Sequence, residues 1–218
     1  MATLLALDTT AEFGSLALMR NGELIEEVPL HSPDGFGHVI FGAIEALLAR
    51  HGLMTADVDC FAGATGPGSF TGVRVGMTVV KGLGDAAGRP VVGVSNLQAM
   101  AACGSAALRA VVLDARRGEV YGAVYDSRLQ CVQTEMVLRF ADWLAGLPEG
   151  DVEIIALDFT PFADLLRGRP MVQASRVLAG AIGRIAWAEF AGGRGVDPAV
   201  LDANYVRRSD AEILWKEM

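Results

Sequence analysis

Apolar residues fall in short blocks along the chain, separated by glycine, proline and small polar residues. The run from Thr3 to Asp8 is apolar from Leu4 to Leu7 and ends on a carboxylate, which predicts a buried strand. Ser15 to Arg20 predicts a second strand and Glu23 to Leu30 a third. Asn21-Gly22 between them is a two-residue hairpin turn. A helix is expected from His38 to His51, stopped by Gly52. Its apolar positions Val39, Ile40, Phe41, Ile44, Leu47 and Leu48 cover more than one stripe, so more than one face should meet protein. Val58 to Ala64 then reads as a strand, Gly66 to Gly72 as a glycine-rich turn, and Thr71 to Ala87 as a second helix ended by Gly88 and Pro90. Pro90 to Val94 is a further strand, and Ser95 caps a helix running to about Cys103.

The pattern then restarts. Ala110-Val111-Val112-Leu113-Asp114 repeats the form of Leu4-Leu5-Ala6-Leu7-Asp8, and each block is followed by a hairpin partner, here Glu119 to Asp126. A helix at Phe140 to Leu147, a strand at Val152 to Asp158 and a long helix at Ser175 to Ala191 complete the second half. Two halves that open the same way predict an α/β chain with the two-lobed fold of actin, Hsp70 and the sugar kinases. The expected lobes are 1–103 and 104–218, with the C-terminal tail returning to the first. A generic α/β domain is the alternative.

Composition narrows the function classes. Hydrophobic residues make up 52% of the 218 and charged residues 20%, enough to bury a core. The net charge of −8 disfavours a protein that grips nucleic acid over its whole surface, because phosphate binding needs clustered cations. No uninterrupted apolar stretch is long enough for a membrane span, and Met1 to Leu7 carries no basic leader, so a cytoplasmic protein is expected. The three cysteines, Cys60, Cys103 and Cys131, lack metal-ligand spacing and are expected to be small buried thiols. Glycine accounts for 26 residues, several of them in one turn and the helix after it.

That turn, Gly66-Pro67-Gly68-Ser69-Phe70-Thr71-Gly72, leads a strand into a helix, where free N–H groups favour anions. It lacks the Gly-Lys-Ser/Thr of a Walker loop. A dinucleotide site is disfavoured because the next strand ends at Ser95 without an acidic residue for a ribose. Pro67 and Thr71 replace the glycines that a nucleophile elbow around Ser69 would need. Of the three histidines, His31 and His38 stand seven apart, off the spacing of a helical metal pair. Gly72 and Gly76 lie on one helix face and should let another backbone approach, within the lobe or in a partner. In an actin-like cleft the second residue after each aspartate is usually glycine; here Thr10 and Arg116 stand there, so Asp8, Thr9, Thr10, Gly68, Ser69, Asp114 and Arg116 read as a degenerate anion cleft.

Taken together, Leu7-Asp8-Thr9-Thr10, the run Gly66 to Gly76, Lys81-Gly82-Leu83, Asp114-Ala115-Arg116-Arg117 with Glu119-Val120-Tyr121, and Tyr205-Val206-Arg207 resemble the TsaB (YeaZ) family over nearly the whole length. The resemblance implies an actin-like fold and a role in making threonylcarbamoyladenosine beside the tRNA anticodon. It implies a non-catalytic subunit that activates TsaD, the metal-bearing transferase, with TsaE, a P-loop ATPase, in the larger complex and TsaC supplying the donor. It further implies a homodimer in isolation, tRNA bound only through the complex, no membrane partner, no intrinsic cofactor or metal, and ATP or ADP only at the complex interface. The family's partner-facing helices correspond to Gly37–His51 and Thr71–Ala87, which makes Val39, Ile40, Phe41, Ile44, Leu47, Leu48, Gly72, Val73, Gly76 and Val80 the expected interface. Arg116, Arg117, Arg207 and Arg208 are expected to add a local basic contribution. The alternatives are an actin-fold ATP-dependent phosphotransferase and a glycoprotease-like peptidase. The chain departs from the family pattern at His31-Ser32-Pro33-Asp34, with Gly35-Phe36-Gly37 looking inserted, and at Leu157-Asp158-Phe159, where the family often has Gly-Asp-Gly.

Overall fold

The computed structural model describes residues 1–206. Residues Met1–Ala99 and Ser175–Ala203 form one unit, and a second begins at Met100 and runs to Ala174. This differs from the expected division at 103/104, because the last long helix belongs with the first half.

The first unit is built on a five-stranded sheet of order β3-β2-β1-β4-β5. Its strands are β1 (Thr3–Asp8), β2 (Phe13–Arg20), β3 (Glu23–His31), β4 (Cys60–Ala64) and β5 (Val91–Val94). β1, β2 and β3 form an antiparallel meander, while β4 and β5 run parallel to β1. The predicted hairpin turn forms: Asn21 and Gly22 take φ of 50° and 87° between the paired Arg20 and Glu23. Strand alternation sends Leu5, Leu7, Leu16 and Leu18 to a core shared with α1 (Ile40–Arg50) and α2 (Phe70–Ala87). Ser69 caps α2 with its hydroxyl, and Gly88 ends it at φ 60°, the stop that the sequence predicts. Ser95 Oγ accepts the Leu97 N–H at 3.1 Å and so starts α3 (Asn96–Ala101).

The other face of this sheet is covered by α5 (Ala179–Ala191), shorter at its start than expected. A glycine at 183 brings it down on Met19, whose Sδ would lie 2.9 Å from an added Cβ. Its N-terminus is capped from the sheet. Ser15 Oγ accepts the N–H groups of Leu178 (3.2 Å) and Ala179 (2.9 Å), and Glu27 Oε1 accepts that of Gly180 (2.6 Å). The following segment is tied to α2 by Lys81 Nζ, which donates to the Leu201 carbonyl at 2.8 Å.

The second unit repeats the topology. Its sheet has the order β10-β9-β6-β7-β8, with β6 (Leu108–Arg116), β7 (Glu119–Asp126), β8 (Cys131–Arg139), β9 (Val152–Ala156) and β10 (Met171–Gln173). Again the first three strands are antiparallel and the other two parallel to the first. The repeated pairing establishes the duplicated actin-like pattern that the restart predicts. β8 and β10 were not anticipated. α4 (Phe140–Ala145) packs Phe140 and Trp143 into a core with Val112, Val120, Ile154 and Phe162.

The cysteine expectation holds for one residue. Cys60 is buried, and burial pushes its thiol up to about 12, whereas Cys103 and Cys131 are exposed. Among the described residues no helix is long and apolar enough to cross a membrane.

Candidate functional site

The turn after β1 is closed by its own side chains. Asp8, 1% exposed, accepts on Oδ1 both the Thr10 N–H (2.9 Å) and the Thr10 hydroxyl (2.7 Å). Asn96 Nδ2 donates to Thr10 Oγ1 at 2.7 Å, and Asn96 Oδ1 accepts the Gly66 N–H at 3.0 Å. Thr9 Oγ1 donates to the Gly72 carbonyl at 2.7 Å, and the Ser69 N–H donates to the Thr10 carbonyl at 2.7 Å. Burial raises the Asp8 carboxyl above its ordinary range, against the lowering effect of the Thr10 hydrogen bonds.

In this arrangement the glycines of the run serve close packing. A Cβ at Gly68 would come within 2.7 Å of both the Thr10 Cβ and its carbonyl oxygen, and a Cβ at Gly72 would overlap the Thr9 carbonyl oxygen. These glycines let α2 close onto the β1–β2 turn, so the space beside them is taken by protein. Phe36 adds to the closure, its ring 2.9 Å from where a Cβ at Gly14 would stand. Asp8, Thr9, Thr10, Gly68 and Ser69 are therefore brought together, as a structural knot. Asp114 and Arg116 belong to the second unit, where Asp114 Oδ1 accepts the Arg116 N–H at 2.7 Å. Asp158 makes a third turn of this kind, accepting the N–H and hydroxyl of Thr160 at 2.8 and 2.7 Å.

Most residues of the expected interface lie inside their own unit. Ile40, Ile44, Leu47, Leu48, Gly72, Val73, Gly76 and Val80 are buried within the first unit and meet its own sheet and helices. A Cβ at Gly76 would lie 2.6 Å from Thr9 Oγ1. Val39 is half-buried and only Phe41, 57% exposed, faces outward.

The outward face of the two helices is a different set. Phe41 of α1 and Phe70 of α2, 50% exposed, line a groove of about 450 Å³ with Gly37, Ile40, Arg74 and Thr78. The Arg74 guanidinium lies 3.7 Å from the centre of the Phe70 ring, a cation–π contact. Phe70, Arg74 and Thr78 recur every four residues on the side of α2 away from Gly72 and Gly76. That period is visible in the sequence.

The histidines make local ties. His31 stacks on Phe13 with ring centroids 4.8 Å apart, and His51 Nε2 lies 2.7 Å from Glu26 Oε2. Among the described residues no group of three His, Cys, Asp or Glu is placed to hold a metal ion. Arg207 and Arg208 lie outside the described residues.

Residues 28–163 match the family model described as TsaD, tRNA N6-adenosine threonylcarbamoyltransferase. The chain is 33% identical to the tRNA threonylcarbamoyladenosine biosynthesis protein TsaB of Bacillus subtilis over 160 residues, 71% of this chain and 70% of that protein. The solved structure of YeaZ from Pseudomonas aeruginosa superposes with a TM-score of 0.82 at 29% identity, over 94% of this chain and 100% of that one. At 8% identity, component A of the (R)-2-hydroxyglutaryl-CoA dehydratase of Acidaminococcus fermentans shares the fold, with a TM-score of 0.55 over 88% of this chain and 100% of that one.

Proposed function

The chain belongs to the TsaB (YeaZ) family of tRNA threonylcarbamoyladenosine biosynthesis proteins, and on that footing we propose that it is the non-catalytic, activating subunit of the complex that makes this modification. Its partner is a TsaD-type transferase, docked on the outward face of α1 and α2. The exposed pair Phe41 and Phe70, lining one groove with Arg74 beside them, carries this reading. Aromatic and arginine side chains of this kind anchor interfaces when a partner desolvates them.

The identity of the partner is supported by the matched family model. That model describes the transferase, and residues 28–163 of this chain include both α1 and α2. A transferase of the same descent carries counterpart helices, so like face pairs with like face. In the absence of the transferase, a second copy of this chain would offer the same surface in a two-fold arrangement. The non-catalytic role is supported by the closed turn, where both the N–H and the hydroxyl of Thr10 engage the Asp8 carboxylate. ATP or ADP then binds at a boundary of the complex, which TsaE joins, and tRNA is held by the assembly.

The test is size-exclusion chromatography of the chain mixed with the TsaD-type protein of the same organism, with calorimetry of the chain alone against ATP and magnesium. Co-elution of the two proteins and no heat of ATP binding are expected. Micromolar ATP binding with turnover by the isolated chain would replace this reading with a phosphotransferase.

A further inference from the structure

Two hairpins of this molecule solve the same turn with different residues. Between β2 and β3 the left-handed positions are taken by Asn21 and Gly22, residues that tolerate such a backbone. At the β6–β7 hairpin Arg116, the last residue of β6, and the turn residues Arg117 and Gly118 take φ of 64°, 58° and 77°. Two consecutive arginines in the left-handed region run against local preference, since a Cβ there crowds the backbone. The Asp114 carboxylate holds the Arg116 N–H and so maintains the conformation. Both arginines are exposed.

A third arginine stands beside the tip. Arg139 is exposed and pairs in register with Glu119, the first residue after the turn. Asp114 and Glu119 lie among these cations, and Asp142 stands in the first turn of α4, close along the chain from Arg139. The tip thus carries exposed arginines on a chain whose net charge is −8.

We propose that the Arg116–Arg117 tip, with Arg139 beside it, is this chain's contact for the phosphate backbone of an RNA. The proposal rests on the function proposed above, in which the assembly acts on tRNA. A planar guanidinium binds a phosphate through two parallel hydrogen bonds, which an ammonium cannot do. An acidic subunit that must lie near a polyanion is repelled unless it presents cations at the point of approach. A hairpin tip that carries two exposed arginines supplies them.

The test uses the full chain assembled with its TsaD-type partner and a fluorescently labelled, unmodified tRNA transcript. Anisotropy is followed from 50 to 200 mM salt for the wild type, Arg116→Asn/Arg117→Asn and Arg116→Lys/Arg117→Lys. The asparagine variant should melt roughly 1–4 °C higher, because Asn suits the turn. It should bind the transcript roughly tenfold more weakly, with the slope of log K against log salt reduced by about 1–2. The lysine variant should keep most of the salt slope while losing part of the affinity. Unchanged affinity and slope in an intact assembly would overturn the proposal alone. Loss of assembly with the TsaD-type protein in the asparagine variant would make the tip a protein contact and equally overturn it. Failure of the wild-type chain to assemble at all would refute the proposed function, and this inference with it.

Discussion

Adding one methyl group to α2 should have opposite effects at two of its glycines. At Gly72 the new Cβ overlaps the carbonyl oxygen of Thr9, with the Thr10 Cα 3.2 Å away. Both are backbone atoms of the knot that holds Asp8, so neither yields by a rotamer change. Gly72→Ala must push α2 off the β1–β2 turn. Overpacking of this kind costs about 1–3 kcal/mol. The displaced helix also loses the 2.7 Å bond from the Thr9 hydroxyl to the Gly72 carbonyl, worth about 1 kcal/mol. The better helix propensity of alanine returns about 1 kcal/mol, leaving a net loss of about 2 kcal/mol. For a chain of this size that lowers the melting temperature by roughly 4–8 °C. At Gly82 an added Cβ meets nothing within 4 Å. Gly82→Ala therefore gains the propensity term alone, about 0.5–1 kcal/mol, and melts roughly 1–4 °C higher. Thermal unfolding followed by circular dichroism compares the two variants with the wild type. Shifts of the same sign, or a Gly72→Ala variant as stable as the parent, would refute the close packing assigned to this face.

Other elements of the first unit give further expectations. Ser15→Ala removes the hydroxyl that receives the Leu178 and Ala179 amides, and should cost about 1–2 kcal/mol; hydrogen exchange should show faster exchange at those amides. Asp8→Asn keeps an oxygen for the Thr10 donors while removing a buried charge. The Asp8 carboxyl is raised in the folded state by burial, so its contribution is favourable below its unfolded value and is lost as pH rises through the folded one. The asparagine variant should therefore be more stable than the parent at neutral pH, with the gain fading in acid; melting curves across pH 3–8 (about the range of carboxylate titration) would show it, and a gain that grows toward low pH would contradict it.

Much of the fold was legible because its signals are local. The Asn21-Gly22 turn, the Ser69 cap and the Gly88 stop each act within a few residues, and the Asp-ended strands repeat in plain sight. The place of α5 was not legible, because its caps come from Ser15 and Glu27, more than 150 residues earlier in the chain. β10 has only three residues, Met171–Gln173, too few to show a period. Of the residues expected on α1 and α2, most pack inside their own unit, and a different set faces outward. Gly72 and Gly76 signal that something approaches α2 closely. They do not say whether it is a partner or Thr9 of the same unit, and only the packed structure decides. Phe41 is exposed beside helix neighbours that are core, and Phe70 and Arg74 sit inside the glycine-rich run, where the glycines dominate the local signal.

The central claim is that the outward face of α1 and α2 activates a transferase. The most direct measurement is threonylcarbamoyladenosine formed in a tRNA transcript by the reconstituted system, titrated with the wild-type chain or with Phe41→Asp/Phe70→Asp. Both side chains are at least half exposed, so the variant should keep the parent's melting temperature to within about 2 °C. Modification should rise with added wild-type chain and saturate near one chain per transferase, while the variant gives at least about a tenfold smaller yield at the same concentration. Equal modification by the folded variant, or full modification with no chain added, would contradict the account.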